Sequence, residues 1–93
     1  MSEKKRVEAI VTGKVQNVGY RAYAREEAAT LKLNGWVRNE PDGTVRLVAE
    51  GPHDALERLL DSLHVGPRLA KVDRIDETWT APEERHSGFE IRW

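Results

Sequence analysis

An α+β sandwich, with two helices laid on one face of an antiparallel sheet, is the fold this sequence predicts, and three observations predict it. Period-two apolar alternation opens and closes the chain, two apolar stripes at helical spacing lie between, and the connections carry glycine, proline or asparagine. With 93 residues, below the roughly 100–150 of a typical domain, a single domain spanning 1–93 is expected. A chain this short buries only about 60–65% of its unfolded surface, so any site should be shallow and built from loops.

Each element follows in order. In residues 6–15, Val7, Ala9 and Val11 alternate with Glu8, Ile10 and Thr12, the period of a strand with one buried face. After a loop bounded by Gly13 and Gly19, residues 20–33 place Tyr20, Tyr23 or Ala24, Ala28 and Leu31 at helical spacing, and Asn34-Gly35 is read as the helix stop. Residues 36–51 read as two strands around Glu40-Pro41-Asp42-Gly43, an antiparallel hairpin with Asn39 near its turn. Leu56, Leu59, Leu60 and Leu63 form one stripe of a second helix, closed by Gly66-Pro67. Residues 71–79 read as a strand of mixed polarity, and the closing stretch sets Phe89, Ile91 and Trp93 on one face. The order β-α-β-β-α-β, with a short terminal strand, is the split βαβ or ferredoxin-like plan. That plan hosts RNA binders, metal binders, regulatory modules and enzymes, so function must be argued from a site.

Composition narrows the classes. Fifteen Lys and Arg against sixteen Asp and Glu give a net charge of −1, too weak a field to hold a nucleic-acid backbone or an anionic membrane. An RNA-binding module of this plan carries aromatic segments on its sheet, whereas a central strand here reads VRLVAE. The absence of cysteine excludes disulfides, thiolate nucleophiles and zinc-thiolate sites. The charged opening MSEKKR has neither a signal-peptide core nor a membrane span, so a cytoplasmic, monomeric protein is expected. His53, His64 and His86 share no metal-ligand spacing and read as solvated, so no metal or other cofactor is expected. Trp36, Trp79 and Trp93 read as core or sheet-face packing, and the Glu pairs at 26–27 and 83–84 as solvated faces.

The loop between the first strand and the first helix is the candidate site. Such a loop leaves backbone N–H groups unpaired at the positive end of a helix dipole, an arrangement that favours anions. Glycines at 13 and 19 let the chain turn tightly and let an anion approach the backbone. Arg21 then stands in the first helical turn, where a cation is disfavoured unless an anion lies between it and the helix. A planar guanidinium suits a phosphate group, so Arg21 and the N–H groups from about Gln16 onward would form a phosphate cradle. A Walker loop is absent, because Tyr20 and Arg21 stand where Lys and Ser or Thr would follow the second glycine. Asn39 offers both a donor and an acceptor at a strand end, and so could hold one water for in-line attack on phosphorus.

The stretches GKVQNVGYR (13–21) and GWVRNEPDGTV (35–45) resemble the two signatures of the acylphosphatase family, G-x-V-Q-G-V-x-[FY]-R and G-[FWY]-[VA]-x-N-x-x-D-G-x-V. GPRLAKVDRI (66–75) and the closing FEIRW extend the likeness over essentially the whole chain. The resemblance implies hydrolysis of a carboxyl-phosphate anhydride to a carboxylate and inorganic phosphate, the two small-molecule partners expected here. It also implies that Arg21 binds the phosphate and Asn39 positions the water, with the phosphate loop falling on Val15, Gln16, Asn17, Val18, Gly19, Tyr20 and Arg21. A noncatalytic anion-binding or partner-binding module is the alternative, which would keep Arg21 and tolerate loss of Asn39. Two positions depart from the family pattern. Asn17 replaces the usual mid-loop glycine, and asparagine is the least costly substitute if the backbone there has positive φ. Trp93 replaces a common tyrosine, and a contact between the end carboxylate and Arg21, known in some members, is a further expectation.

Overall fold

The structure, a computed structural model, describes residues 3–93, and among them the chain forms five strands and two helices. In order these are β1 (Lys4–Lys14), α1 (Tyr20–Thr30), β2 (Asn34–Asn39), β3 (Val45–Pro52), α2 (His53–Val65), β4 (Lys71–Thr80) and β5 (Phe89–Arg92). The strands form one sheet in the order β4-β1-β3-β2-β5, which is the ferredoxin-like plan with an added edge strand. β1 lies antiparallel to β3 and β4, and β2 antiparallel to β3. β5 runs parallel to β2, so the sheet is mixed rather than wholly antiparallel. The cause is the connection from β4, which crosses from one sheet edge to the other and enters β5 beside the start of β2. There Gly35 N–H donates to Gly88 O at 3.0 Å, and Gly88 N–H donates to Asn34 Oδ1 at 2.8 Å.

The core lies between the sheet and the helices. Val7, Ala9 and Val11 of β1, Val37 of β2 and Leu47 of β3 are fully buried there. The leucine stripe of α2 meets them, with Leu56, Leu59 and Leu63 fully buried and Leu60 nearly so. Truncating any of these leucines to alanine would cost about 2–5 kcal/mol. The buried stripe of α1 is Tyr20, Ala24 and Ala28, and the two alanines let this helix sit close to the sheet.

α1 ends earlier than Asn34-Gly35, which already belong to β2. Lys32 takes the left-handed conformation (φ 57), Leu33 N–H donates to Ala28 O and Lys32 N–H to Ala29 O, the pattern of a Schellman stop. Leu33 is 2% exposed, and its burial fixes the stop one residue after a lysine that would otherwise avoid that backbone.

The face of the sheet turned away from the helices is packed by charged side chains over Trp36, which is 7% exposed. The guanidiniums of Arg38 and Arg92 lie 4.9 and 4.7 Å from its ring centroid, and Arg46 pairs with Glu8. Trp79 lies against His53 with ring centroids 4.9 Å apart and planes tilted by 47°, so His53 is held against an aromatic ring rather than simply solvated. Trp93, by contrast, is 94% exposed and packs neither into the core nor onto the sheet.

Glu50 of β3 is a buried carboxylate that fastens the β4–β5 connection. It accepts from the N–H groups of Glu83 and Glu84 at 3.0 and 2.9 Å and from Arg6 at 3.3 Å. The side chains of Glu83 and Glu84 are exposed as expected, while their backbone holds the path into β5. Burial pushes the Glu50 carboxyl up, but the two N–H donors and the Arg6 guanidinium outweigh it, leaving a net shift downward.

Candidate active site

β1 bends into the site at Gly13. A register shift against β4 falls between Thr12 and Gly13, and a Cβ at Gly13 (φ 137) would lie 2.2 Å from the carbonyl oxygen of Lys71. Only glycine lets β4 approach that closely. Val15 then anchors the loop in the core at 1% exposure, Asn17 adopts positive φ (61), and Gly19 caps α1 in the left-handed conformation (φ 79). The positive φ at Asn17 is the circumstance in which asparagine best replaces glycine.

The helix beginning at Tyr20 has no side-chain cap and no acidic residue in its first turn. Its first internal backbone bond runs from Tyr23 N–H to Gly19 O at 3.1 Å, so the N–H groups of Tyr20, Arg21 and Ala22 have no helical acceptor. Tyr20 donates its hydroxyl to Leu63 O at 2.7 Å, and Tyr23 does so to Ser62 O at 2.8 Å. These bonds pin the first turns of α1 to the carbonyl end of α2. Burial and the neighbouring Tyr23 push the Tyr20 phenol far above its usual value, so it remains a donor to Leu63 throughout the neutral range.

Arg21 projects from this turn toward β5. Its Nη1 donates to the backbone oxygen of Arg92 at 3.2 Å, and its guanidinium lies 4.1 Å from the centroid of the Trp93 ring. No carboxylate among the described residues forms an ion pair with it. The contact expected from an end carboxylate is replaced by this carbonyl and this ring, which orient the guanidinium without neutralising it.

Asn39 ends β2 opposite Val45, on the same side of the sheet as the buried Val37 two residues earlier. Its carboxamide Oδ1 is buried and has no hydrogen-bond partner, the one such side-chain atom among the described residues. The turn after it is fixed by Glu40 N–H to Thr44 O at 2.9 Å, and by Asp42, which accepts from Thr44 N–H and Oγ1 at 3.0 and 2.6 Å. Gln16 ties this turn to the loop, donating from Nε2 to Glu40 O at 2.8 Å and Thr44 O at 2.9 Å.

A cavity of about 160 Å³ opens where these pieces meet. Val15, Asn17, Gly19, Tyr20 and Arg21 form one wall, Asn39 stands at the end of β2, and Ala22, Ile91 and Trp93 complete the rim. The structure therefore brings Arg21, Asn39 and most of the predicted loop to one small space. Gln16 and Val18 lie outside that lining: Gln16 is turned to the hairpin and Val18 packs against the core. Ala22, Ile91 and Trp93 were not among the predicted site residues. For Ile91 and Trp93 the alternation with Phe89 was a signal that reads equally well as core packing, and the Trp93 end carboxylate was expected near Arg21; Ala22 carried no signal. Among the described residues no three His, Asp or Glu side chains could hold a metal ion together, and no helix is long and apolar enough to cross a membrane.

Comparison with known proteins places this chain in a family. The acylphosphatase family model matches residues 7–91. The chain is 51% identical to an acylphosphatase of Salinibacter ruber over 96% of this chain and 94% of that one. It is 48% identical to an acylphosphatase of Thermus thermophilus over 92% and 97% of the two chains. Its fold superposes on the crystal structure of acylphosphatase from Bacillus subtilis with a TM-score of 0.93 at 38% identity, covering 96% of this chain and 99% of that one. With the whole strand–loop–helix and hairpin framework shared at this level, the chain belongs to the acylphosphatase family of enzymes.

Proposed function

We propose that this chain hydrolyses acyl phosphates, with the phosphate seated in the loop of residues 15–21 and the attacking water held by Asn39. The observation that carries the reading is the shared cavity: an arginine without a carboxylate partner, an asparagine and the first turn of α1, with its unpaired N–H groups, line one small space. A dianionic phosphate complements the guanidinium and the N–H groups. It accepts from the N–H groups of Tyr20, Arg21 and Ala22, and from the Arg21 donors not used by Arg92 O.

The Asn39 carboxamide carries N–H donors as well as its oxygen at the cavity, and a water accepting from its Nδ2 keeps a lone pair free for phosphorus. The water oxygen attacks phosphorus, the bond from phosphorus to the acyl oxygen breaks, and its electron pair leaves on the carboxylate. The conjugate acid of that leaving group has a pKa near ~4, so no general acid is needed. The proton of the attacking water passes to a phosphate oxygen, and the fixed N–H groups and Arg21 stabilise charge that spreads over the equatorial oxygens.

Hydrolysis of benzoyl phosphate in oxygen-18-labelled water tests where the water attacks. The label is expected in the phosphate; label in the benzoate would mean attack at the carbonyl carbon and would overturn this arrangement. Arg21→Ala is expected to abolish competitive inhibition by inorganic phosphate. Retention of wild-type inhibition would remove Arg21 from the phosphate site.

A further inference from the structure

We infer that the Tyr20 hydroxyl is a positioning group for the phosphate site, a step that rests on the acyl-phosphate reading above. The need for it arises at the end of α2. The last carbonyls of a helix have no donor within the helix. Ser62 O finds one just beyond, in Gly66 N–H at 2.9 Å. By the same spacing Leu63 O would take the N–H of residue 67, but that residue is Pro67, which has none. A buried carbonyl left without a donor is costly. Tyr20 supplies the donor from 43 residues away, giving its hydroxyl to Leu63 O at 2.7 Å in a buried bond. The Tyr23 hydroxyl, by contrast, shares Ser62 O with Gly66 N–H, so Leu63 O is the carbonyl that depends on a single hydroxyl.

That bond acts on α1 as much as on α2. The first turn of α1 has no side-chain cap and no acidic residue, and Gly19 before it takes the left-handed conformation. Local sequence therefore holds this turn weakly, and the contacts of Tyr20 hold it instead. Its ring is 1% exposed and packs against Gly66, where an added Cβ would lie 3.3 Å from Tyr20 Cε2. Ring packing is non-directional, whereas the hydroxyl bond has a preferred line. The hydroxyl thus sets the rotation of the first turn, and the N–H groups of Tyr20, Arg21 and Ala22 turn with it. All three residues line the cavity. Donors fixed before an anion arrives bind it with less ordering cost and need no reorganisation during reaction. Pro67 reaches the phosphate loop in this way, through Leu63 and Tyr20.

The test compares the wild type with Tyr20→Phe and with Leu56→Val, a core truncation near the start of α2. Inorganic phosphate binding is measured by titration calorimetry, benzoyl phosphate hydrolysis by steady-state kinetics, and Tm by thermal melts. Tyr20→Phe keeps the ring, and phenylalanine is admitted at this position of the family signature, so the fold is retained. Its phosphate affinity is expected to fall about three- to tenfold and its kcat/KM by a similar factor, with kcat changed less than about threefold. Leu56→Val lowers Tm but leaves phosphate affinity within about twofold of wild type. A lower Tm in Tyr20→Phe with wild-type phosphate affinity would show that the hydroxyl only stabilises the fold; it would overturn the proposal and leave the acyl-phosphate reading intact. Equal weakening of phosphate binding in both variants would assign the effect to general loss of stability and overturn the proposal as well. Failure of the wild type to hydrolyse benzoyl phosphate would overturn the acyl-phosphate reading, and this inference with it.

Discussion

Arg21 occupies the first turn of α1, where a helix dipole disfavours a cation by about 0.3–1 kcal/mol, and nothing in the fold neutralises it. On the proposed reading, a phosphate bound between the guanidinium and the N–H groups would turn this local cost of the free protein into affinity. Gln16 contributes differently, through a side chain that ties the Glu40–Thr44 turn to the loop. Loss of both bonds in Gln16→Ala is expected to cost about 2 kcal/mol of stability and to lower kcat about tenfold by letting Asn39 drift from the phosphate. Phosphate inhibition should change much less, a split that steady-state kinetics with phosphate as competitor would read. Asn17 stands at φ 61, so Asn17→Gly is expected to keep turnover and thermal stability close to wild type, because relief of strain offsets the added freedom of the unfolded chain. Asn17→Val should lose about 1–2 kcal/mol in thermal unfolding. The meeting of Arg21 and Asn39 at one cavity was legible in the sequence because both lie within local motifs. The Gln16 bridge was not, since its partners lie 24 and 28 residues away and no local pattern records such a contact.

At the scale of elements, the site depends on β5, which supplies the Arg92 carbonyl and leads into Trp93, the two groups that hold Arg21. β5 in turn depends on Glu50, whose carboxylate fastens the connection leading into it. The folded pKa of Glu50 lies below its unfolded value. Its contribution is therefore fully present above the unfolded carboxylate pKa of about 4.3 and is lost as pH falls through the folded value. Glu50→Gln is expected to cost about 3 kcal/mol at pH 7, or about 12–24 °C in Tm for a chain of this size. The gap should narrow as pH drops below about 4 in thermal melts, and a gap that widens with acid would contradict the sign of this shift. Periodicity located β1, β5 and both helices, turn residues marked β2 and β3, and β4, which has no fully buried position, was read from a stretch of mixed polarity. Periodicity missed the end of α1, where burial of Leu33 places the left-handed turn on Lys32. It also missed the direction of β5, because a strand's orientation is set by the path of the chain between elements and not by its own side chains.

For the whole molecule, the near balance of charge and the ion-paired outer sheet face leave the loop and Arg21 as the place where an anion meets unpaired donors. The account requires no titrating base, and the three histidines lie outside the cavity lining. His53→Gln, His64→Gln and His86→Gln are each expected to hold kcat within about twofold of wild type, and a loss of a hundredfold in any of them would return a general base to the mechanism. The central claim is that binding and reaction are divided between Arg21 and Asn39. The measurement that tests it most directly is benzoyl phosphate hydrolysis by Asn39→Ala beside the wild type, with inorganic phosphate as competitor. The account predicts that the variant loses at least about a hundredfold in kcat while phosphate inhibits it as well as it inhibits the wild type. Turnover at the wild-type rate, with the same phosphate inhibition, would contradict it and leave the cavity a phosphate site without the water-positioning role assigned to Asn39.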